Sequence, residues 1–133
     1  MNRRFFIRSS FAFSLCAPSF ADAAILPYLR QIGLQLYTLR KPISKNLKGT
    51  LIEVEAIGFK QVEPYGFPSP QALEMIKHAR ALGMQVNSTH FDWNSLLHPE
   101  KTNTPSFEKV LESAQKLKIT DLVIPYLHEV DRS

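Results

Sequence analysis

Apolar residues follow two different spacings along most of the chain. Short runs rich in Val, Ile, Leu and Tyr, which are typical of buried strands, occur at about residues 33–37, 61–63, 85–89 and 122–126. Between them, apolar residues recur at the three- and four-residue spacing of a helix face, over about residues 47–57, 73–82 and 107–117. Strands that alternate with helices predict parallel βαβ units. The pattern therefore predicts an α/β fold of about four parallel strands and three helices.

A repeated segment supports this alternation. The segments "IGLQLYTL", "IGFKQVEPYG" and "LGMQVNSTH" place Gly33, Gly58 and Gly83 at equal spacing. A fourth segment, "LKITDLVIPYL", has Lys118 where a glycine is expected. Such repetition indicates one supersecondary unit that is used several times.

Short local signals predict where the helices begin and end. Ser69-Pro70 and Thr104-Pro105 each combine an N-cap residue with proline at the first helical position. Gly58 and Gly83 are predicted to end helices by adopting the left-handed conformation. These boundaries agree with the spacing of the apolar residues.

The connections between the predicted elements are unequal in length. Those from helix to strand are short, whereas those from strand to helix are longer and carry polar and aromatic residues. In (β/α) architectures, the loops at the carboxyl ends of the strands build the functional site. His90 ends the third predicted strand, and Asp92 and Trp93 open the longest loop. This edge of the sheet is therefore predicted to carry the site.

The first 23 residues have the three parts of a secretory signal. A basic start is followed by a moderately apolar stretch and by a small-x-small cleavage site at Ala21-Asp22-Ala23. The apolar part is shorter than the roughly 20 residues that span a bilayer. Arg3-Arg4 and the residues after them resemble a twin-arginine export signal, with Asn2 where Ser or Thr is usual. We therefore expect an exported protein, periplasmic or extracellular, whose mature chain is residues 24–133; a short amphipathic tail is the alternative.

Composition and charge narrow the functional classes. The 133 residues are 44% hydrophobic and 21% charged, which is typical of a globular domain. The formal net charge is +4, but part of it belongs to the signal and the other basic residues are scattered among acids, so no nucleic-acid partner is expected. The single cysteine, Cys16, lies in the signal, so the mature chain has no disulfide framework and no thiol nucleophile. Leu15 is too large for a lipid-attachment motif, and no stable membrane anchor is expected.

The order of four segments resembles a known family. "IGLQLYTLR", "AIGFKQVEPYG", "GMQVNSTHFDW" and "DLVIPYL", with a helix predicted between each pair, resemble the sugar phosphate isomerase/epimerase family. These proteins are xylose-isomerase-like TIM barrels, in a superfamily that also holds endonuclease IV. The resemblance covers about residues 31–127 and depends on order and spacing. A complete (β/α)8 barrel takes about 250 residues, so the resemblance implies a partial TIM barrel, with its N-terminal half over residues 24–133.

The resemblance also implies a chemistry. Members typically bind a divalent metal through Glu, Asp, His and Glu from the second half of the barrel, and two of these glutamates move a proton beside a sugar carbonyl. We expect none of those positions in this chain, hence no complete metal site, no catalytic residue and no isomerase activity from this chain alone. The implied ligand is a small sugar or sugar phosphate, and open sheet edges imply self-association.

Four residues are predicted to bind the substrate, namely Glu63, His90, Gln35 and Trp93. The family often has Glu at the end of the second strand and His after the third, so the resemblance implies that Glu63 and His90 hold substrate, with substrate contact preferred to metal binding at His90. A carboxylate paired with lysine and a histidine satisfied by backbone are the alternatives. Gln35 either points into the barrel mouth or packs in an interior layer. Trp93, like Phe91, either walls a sugar pocket or covers the core.

Other functions stay open beside the isomerase-like interpretation. They are a non-catalytic remnant of such an enzyme, an exported carbohydrate-binding module and a DNA enzyme of the AP-endonuclease type. Export and the mild charge argue against the DNA enzyme. Bound sugar without turnover would favour the module, whereas no binding and poor solubility would favour the remnant.

Overall fold

The computed structural model describes residues 32–98, 100, 103–127, 129 and 132. The predicted signal peptide over residues 1–23 lies outside the described residues. The described residues form a mixed α/β structure, whose elements in chain order are β1 (Gly33–Gln35), α1 (Arg40–Lys45), α2 (Leu47–Ile57), β2 (Gln61–Glu63), α3 (Pro70–Ala81), β3 (Ser88–His90), α4 (Asn94–Leu97), α5 (Phe107–Lys116) and β4 (Asp121–Val123). A 3-10 turn at Leu36–Leu39 joins β1 to α1.

The strands form two small parallel sheets. In one, β1 pairs with β2 and Leu34 lies opposite Val62; in the other, β3 pairs with β4 and Thr89 lies opposite Leu122. Isolated parallel bridges, such as Gln61 with Gln85, lie between the two pairs. The predicted parallel direction of the paired strands is confirmed. The four strands do not form one continuous ladder, because the bridges between the two pairs, Gln61 with Gln85 and Phe67 with Phe91, are isolated.

Several predicted boundaries are wrong by a few residues. The first strand ends at Gln35 because the chain turns into the 3-10 segment there, and the third begins at Ser88. The fourth covers Asp121–Val123 and stops before the predicted residue 126. Two short helices, α1 and α4, occupy connections that are predicted as loops, so the described residues contain five α-helices where three are predicted.

The helix starts are predicted correctly at one site and wrongly at another. Ser69 caps α3, since its Oγ accepts a hydrogen bond of 3.2 Å from the backbone N–H of Ala72. Thr104 does not cap α5. Ser106 does so instead, with its Oγ accepting from the N–H of Lys109, and the helix begins two residues later than predicted.

The core lies between one face of the strands and the apolar faces of the helices. Val62 in β2 and Thr89 in β3 are fully buried and share a face, because side chains alternate along a strand. Leu51 of α2, Met75 of α3 and Val110 of α5 are fully buried in the core as well. Burial of a side chain of this size stabilises the fold by roughly 1.5–3 kcal/mol. The opposite strand face, which carries the candidate polar residues, is only partly covered.

No helix among the residues described above has the length and hydrophobicity that crossing a membrane requires.

Candidate functional site

Three polar side chains come together where β1, β2 and β3 end. Gln35 is the last residue of β1 and lies directly opposite Glu63, the last residue of β2. His90 is the last residue of β3, and its backbone N–H donates to the carbonyl of Pro64 at 2.9 Å. Pro64 has no N–H of its own, which limits the ladder beyond Glu63. The parallel direction of the strands thus places the three side chains at one edge.

The imidazole of His90 contacts both other side chains. Its Nε2 lies 2.8 Å from Oε1 of Glu63. Its Nδ1 lies 2.9 Å from Nε2 of Gln35, and its Nε2 lies 3.2 Å from that same atom. The Glu63 and His90 side chains are 21% and 17% exposed. The expected proximity of Glu63 and His90 on one rim is confirmed, while their role toward a substrate stays a prediction.

The carbonyl oxygen of the Gln35 side chain has a separate partner. Oε1 accepts a hydrogen bond from the backbone N–H of Tyr37 at the start of the 3-10 turn. Gln35 is half-buried and its amide is engaged on both sides. The Gln35 side chain therefore lies at the strand-end edge, where it contacts Tyr37 and His90, and its role toward a substrate stays a prediction.

A pocket of about 690 Å³ opens beside His90. Most of its walls are aromatic, and the residues that line it are Tyr37, Tyr65, Gly66, His90, Phe91, Asp92, Trp93, Pro125 and Tyr126. Two of the four predicted site residues, His90 and Trp93, are among them. The other two, Glu63 and Gln35, are not among the lining residues and reach the pocket through their contacts with His90.

Phe91 and Trp93 both cover the interior and line the pocket, while contact with a sugar stays a prediction. They are only 4% and 6% exposed, so each covers the interior. Both also line the pocket. The indole of Trp93 meets the ring of His98 edge-on, with centroids 5.3 Å apart. Trp93 is therefore held in a fixed orientation at the pocket wall.

Two tyrosines of the pocket wall contact each other, and a cation lies over one of them. The rings of Tyr37 and Tyr65 meet edge to face, with centroids 5.4 Å apart, and Arg40 lies 4.5 Å from the Tyr37 ring. Burial raises the pKa of Tyr65 above its usual value, an effect that Arg40 opposes and Tyr37 reinforces. The phenol of Tyr65 is consequently neutral near pH 7, where it can both donate and accept a hydrogen bond.

Three further polar residues of the pocket, Tyr65, Asp92 and Tyr126, are not among the four predicted site residues. A signal for two of them is present, because Pro64-Tyr65 and Pro125-Tyr126 follow the second and fourth strands as the same dipeptide. Asp92 lies in the predicted loop. One of its carboxylate oxygens accepts from the backbone and side-chain N–H groups of Asn94, at 2.9 and 2.7 Å.

A divalent metal is implied by the family resemblance, and the described residues do not form a ligand set for it. No three His, Cys, Asp or Glu side chains converge as a metal-binding group within the described ranges. Nε2 of His90 already contacts Glu63 at 2.8 Å, and Gln35 lies close to both ring nitrogens. We therefore derive no chemical step through a metal.

Comparisons of the chain with protein-family models, with curated proteins and with solved structures give no match.

Proposed function

We propose that this chain is a sugar phosphate isomerase/epimerase-like protein whose described residues bind a sugar or sugar phosphate in the aromatic pocket beside His90. One observation carries the proposal. The hydrogen-bonded cluster of Gln35, His90 and Glu63 forms at the strand ends and borders a pocket with aromatic walls. Sugars need both parts, namely groups that bind hydroxyls and flat surfaces that cover the apolar face of the ring.

The pocket has the size and lining that a small ligand needs. Its volume of about 690 Å³ falls within the roughly 300–1,000 Å³ of ligand sites in proteins. Trp93 and the tyrosines offer flat apolar surfaces together with N–H and O–H groups. An ionised carboxylate has about four acceptor positions, and His90 uses one of those on Glu63. The remaining positions can accept hydrogen bonds from ligand hydroxyls.

The proposal includes a partial (β/α)8 barrel as the architecture. The consecutive parallel pairs β1–β2 and β3–β4, and the repeated turn before each later strand, support it. The position of the polar cluster at the carboxyl ends of the strands agrees with the location of sites in such barrels. The chemistry of the complete family enzyme is metal-assisted proton transfer beside a carbonyl. We assign only sugar binding to the described residues.

The intrinsic fluorescence of Trp93 provides a direct test. It is the single tryptophan of the chain and it lines the pocket. The full chain is titrated with aldoses, ketoses and their phosphates while Trp93 emission is recorded. A saturable change for at least one sugar is expected, and no change with any of them would overturn the proposal. Turnover with added Mn²⁺, Mg²⁺, Co²⁺ or Zn²⁺ would add catalysis to binding, whereas binding without turnover would favour a carbohydrate-binding module.

The chain offers a matched control pair for the site. Glu63→Gln or His90→Gln is expected to raise the dissociation constant for the sugar at least tenfold, because a hydrogen bond to a charged group contributes about 1.5–3 kcal/mol. The dissociation constant is obtained from the fluorescence titration. Glu74 and His78 form a similar pair on α3, with 3.1 Å between Oε2 and Nε2. Glu74→Gln and His78→Gln should leave sugar binding unchanged. An equal loss in both pairs would mean that the site effect is not local.

A further inference from the structure

The segment that follows β1 is strongly basic. Residues 32–52 contain no Asp or Glu and carry four cations, namely Arg40, Lys41, Lys45 and Lys48. All four are exposed, and none of the ion pairs formed by the described residues includes them. The expectation that the basic residues are scattered among acids therefore does not hold for this segment. We call these four residues the basic surface.

The basic surface places positive charge where helices disfavour it. Arg40 and Lys41 begin α1, and Lys48 lies in the first turn of α2; neither first turn contains an acid. The backbone N–H groups at the start of a helix repel cations. Lys41 and Lys45 are also one helical turn apart, where like charges repel each other. Sequences that break such local rules do so mainly at functional sites, so this charge indicates an anionic partner.

Arg40 connects the basic surface to the pocket. Its guanidinium lies 4.5 Å from the centre of the Tyr37 ring and donates a hydrogen bond of 3.0 Å to the carbonyl of Tyr37. Tyr37 lines the pocket and contacts Tyr65. The charge of Arg40 also opposes the increase in the pKa of Tyr65, so it acts at the pocket wall. The basic surface therefore begins beside the pocket and continues along α1.

The pocket itself has the opposite character. Among the residues that the structure describes, its lining includes the carboxylate of Asp92 and no Lys or Arg. A second carboxylate, that of Glu63, contacts His90 at the pocket edge. An anion inside the pocket would meet these like charges. The group that the basic surface attracts should therefore belong to a part of the ligand that lies outside the pocket.

We propose that the basic surface binds the carboxylates of an acidic oligosaccharide, one neutral unit of which occupies the pocket. This inference rests on the proposed function, because it extends the same site. The cations continue for about 7–8 Å along the axis of α1, from Arg40 to Lys45. Neutral units that alternate with uronate units would place carboxylates on the basic surface and keep them away from Asp92. A nucleic acid fits this pattern less well, because it carries a phosphate on every unit.

A comparison of one oligosaccharide with and without its charge tests the proposal. The full chain is titrated with a hyaluronan oligosaccharide, in which neutral and uronate units alternate, and with its methyl ester, while Trp93 fluorescence is recorded. Each ion pair with an exposed cation contributes roughly 1.4- to 5-fold in affinity, so two carboxylates should lower the dissociation constant about fivefold. The difference should disappear near 1 M salt, where the Debye length is about 3 Å. Equal constants for acid and ester at low salt would overturn the proposal.

Two pairs of lysines distinguish the basic surface from the net charge of the protein. Lys41→Gln combined with Lys45→Gln should raise the dissociation constant of the acid toward that of the ester. Lys109→Gln combined with Lys116→Gln removes two exposed lysines of α5 and should leave the constant of the acid unchanged. An equal effect in both pairs would overturn the assignment to the basic surface. Single-stranded DNA that competes with the acid at the same concentration would show a general polyanion surface and would overturn the glycan.

Calorimetry beside fluorescence separates this inference from the proposed function. If neutral sugars and the ester alter Trp93 fluorescence and the acid binds no more tightly, the function stands and the inference fails. If the acid binds in the calorimeter through Lys41 and Lys45 but no sugar alters Trp93 fluorescence, the basic surface stands as a glycan site and sugar binding in the pocket fails. Binding of no saccharide by either method would overturn both.

Discussion

Lys118 occupies, after α5, the same backbone position that Gly83 occupies after α3. Their φ angles are 51° and 79°, both left-handed. The N–H of Gly83 donates to Arg80 and that of Lys118 to Gln115, each at 3.0 Å. In both turns the next residue donates to the carbonyl five positions earlier, which completes the pair of bonds typical of a Schellman motif. The repeat thus conserves a turn within the chain even where the glycine is replaced.

This comparison predicts that Lys118→Gly stabilises the protein. A residue with a Cβ is disfavoured in the left-handed conformation by roughly 1–2 kcal/mol, whereas glycine adopts it readily but loses more freedom on folding. We expect a net increase of about 0.5–1 kcal/mol in the free energy of unfolding, measured by urea denaturation followed through Trp93 fluorescence. Gly83→Ala is the matched reverse change and should lower that free energy by about 1 kcal/mol. A destabilised Lys118→Gly variant would contradict the argument.

The Gly58, Gly83 and Lys118 turns also show how far the sequence predicts this fold. The helix ends are local, since they depend on a turn that a few adjacent residues specify, and the left-handed φ at Gly58 and Gly83 confirms them. The positions of the strand ends depend on residues that are distant in sequence. Val123 ends β4 although apolar residues continue to Leu127, because a strand extends only as far as its neighbour supplies hydrogen-bonding partners.

The sequence was sufficient to predict which edge of the sheet carries the candidate site and which two of its side chains lie there. The position of a residue at a strand end follows from the apolar pattern, so Glu63 and His90 could be placed together in advance. The contact of Gln35 with His90 could not, because it depends on how the turn that follows β1 orients the Gln35 side chain. The inclusion of Tyr126 depends on how closely the segment after β4 approaches Trp93, and the spacing of apolar residues does not contain that distance.

The partly buried Glu63–His90 pair should couple more strongly than the more exposed Glu74–His78 pair. The side chains of Glu63 and His90 are 21% and 17% exposed, whereas that of Glu74 is 50% exposed. Less solvent around a charge-assisted hydrogen bond screens it less. We expect a coupling energy of about 1–2 kcal/mol for Glu63–His90, compared with about 0.3–0.5 kcal/mol for the helical pair.

Double-mutant cycles measure both coupling energies. Each glutamate and each histidine is replaced by glutamine, singly and together, and the free energy of unfolding is compared at one pH and salt concentration. High salt should reduce the helical coupling more than the coupling at the strand ends. Equal coupling energies for the two pairs would mean that burial at the pocket edge does not strengthen the hydrogen bond.

Tyr65 predicts how the stability of the protein changes in alkaline solution. Burial raises its pKa above the usual value of 10.0, with Arg40 opposing this effect and Tyr37 adding to it. The folded state therefore holds the phenolic proton more tightly than the unfolded state. This contribution to stability is complete below the unfolded pKa and is lost as pH rises through the folded pKa. Absorbance of tyrosinate should show a tyrosine that ionises above 10 and is missing in Tyr65→Phe.

Substitution of Arg40 is a control for this titration, because its effect on the pKa of Tyr65 has a known direction. Arg40→Gln removes the cation that lowers the pKa of Tyr65, so the transition should move to still higher pH. Lys41→Gln removes a charge from the next residue, which is not among the groups that shift Tyr65, and should leave the transition in place. A lower transition in Arg40→Gln would contradict the proposed arrangement of charge around the pocket wall.

The N-terminal pattern predicts export of the protein by the twin-arginine route. Two adjacent arginines, an apolar stretch and a small-x-small site occur in the order of a twin-arginine signal. In twin-arginine signals the export machinery recognises the paired arginines, and lysine does not reproduce the planar guanidinium group. Arg3-Arg4→Lys-Lys should therefore leave a reporter, fused after residue 31, in the cytoplasm.

The arginine side chains themselves, and not the charge that they carry, are the critical variable in this experiment. The double lysine variant keeps the net charge of the N-terminus, so a loss of export would reflect recognition of the arginine pair. Arg8→Lys makes the same substitution outside the pair and should export normally. If Lys-Lys export continues at the original rate, the general secretory route is used, because that route needs only a positive start and an apolar stretch. Retention of the unchanged fusion, as well as the Lys-Lys and Arg8→Lys fusions, in the cytoplasm would refute the export signal itself.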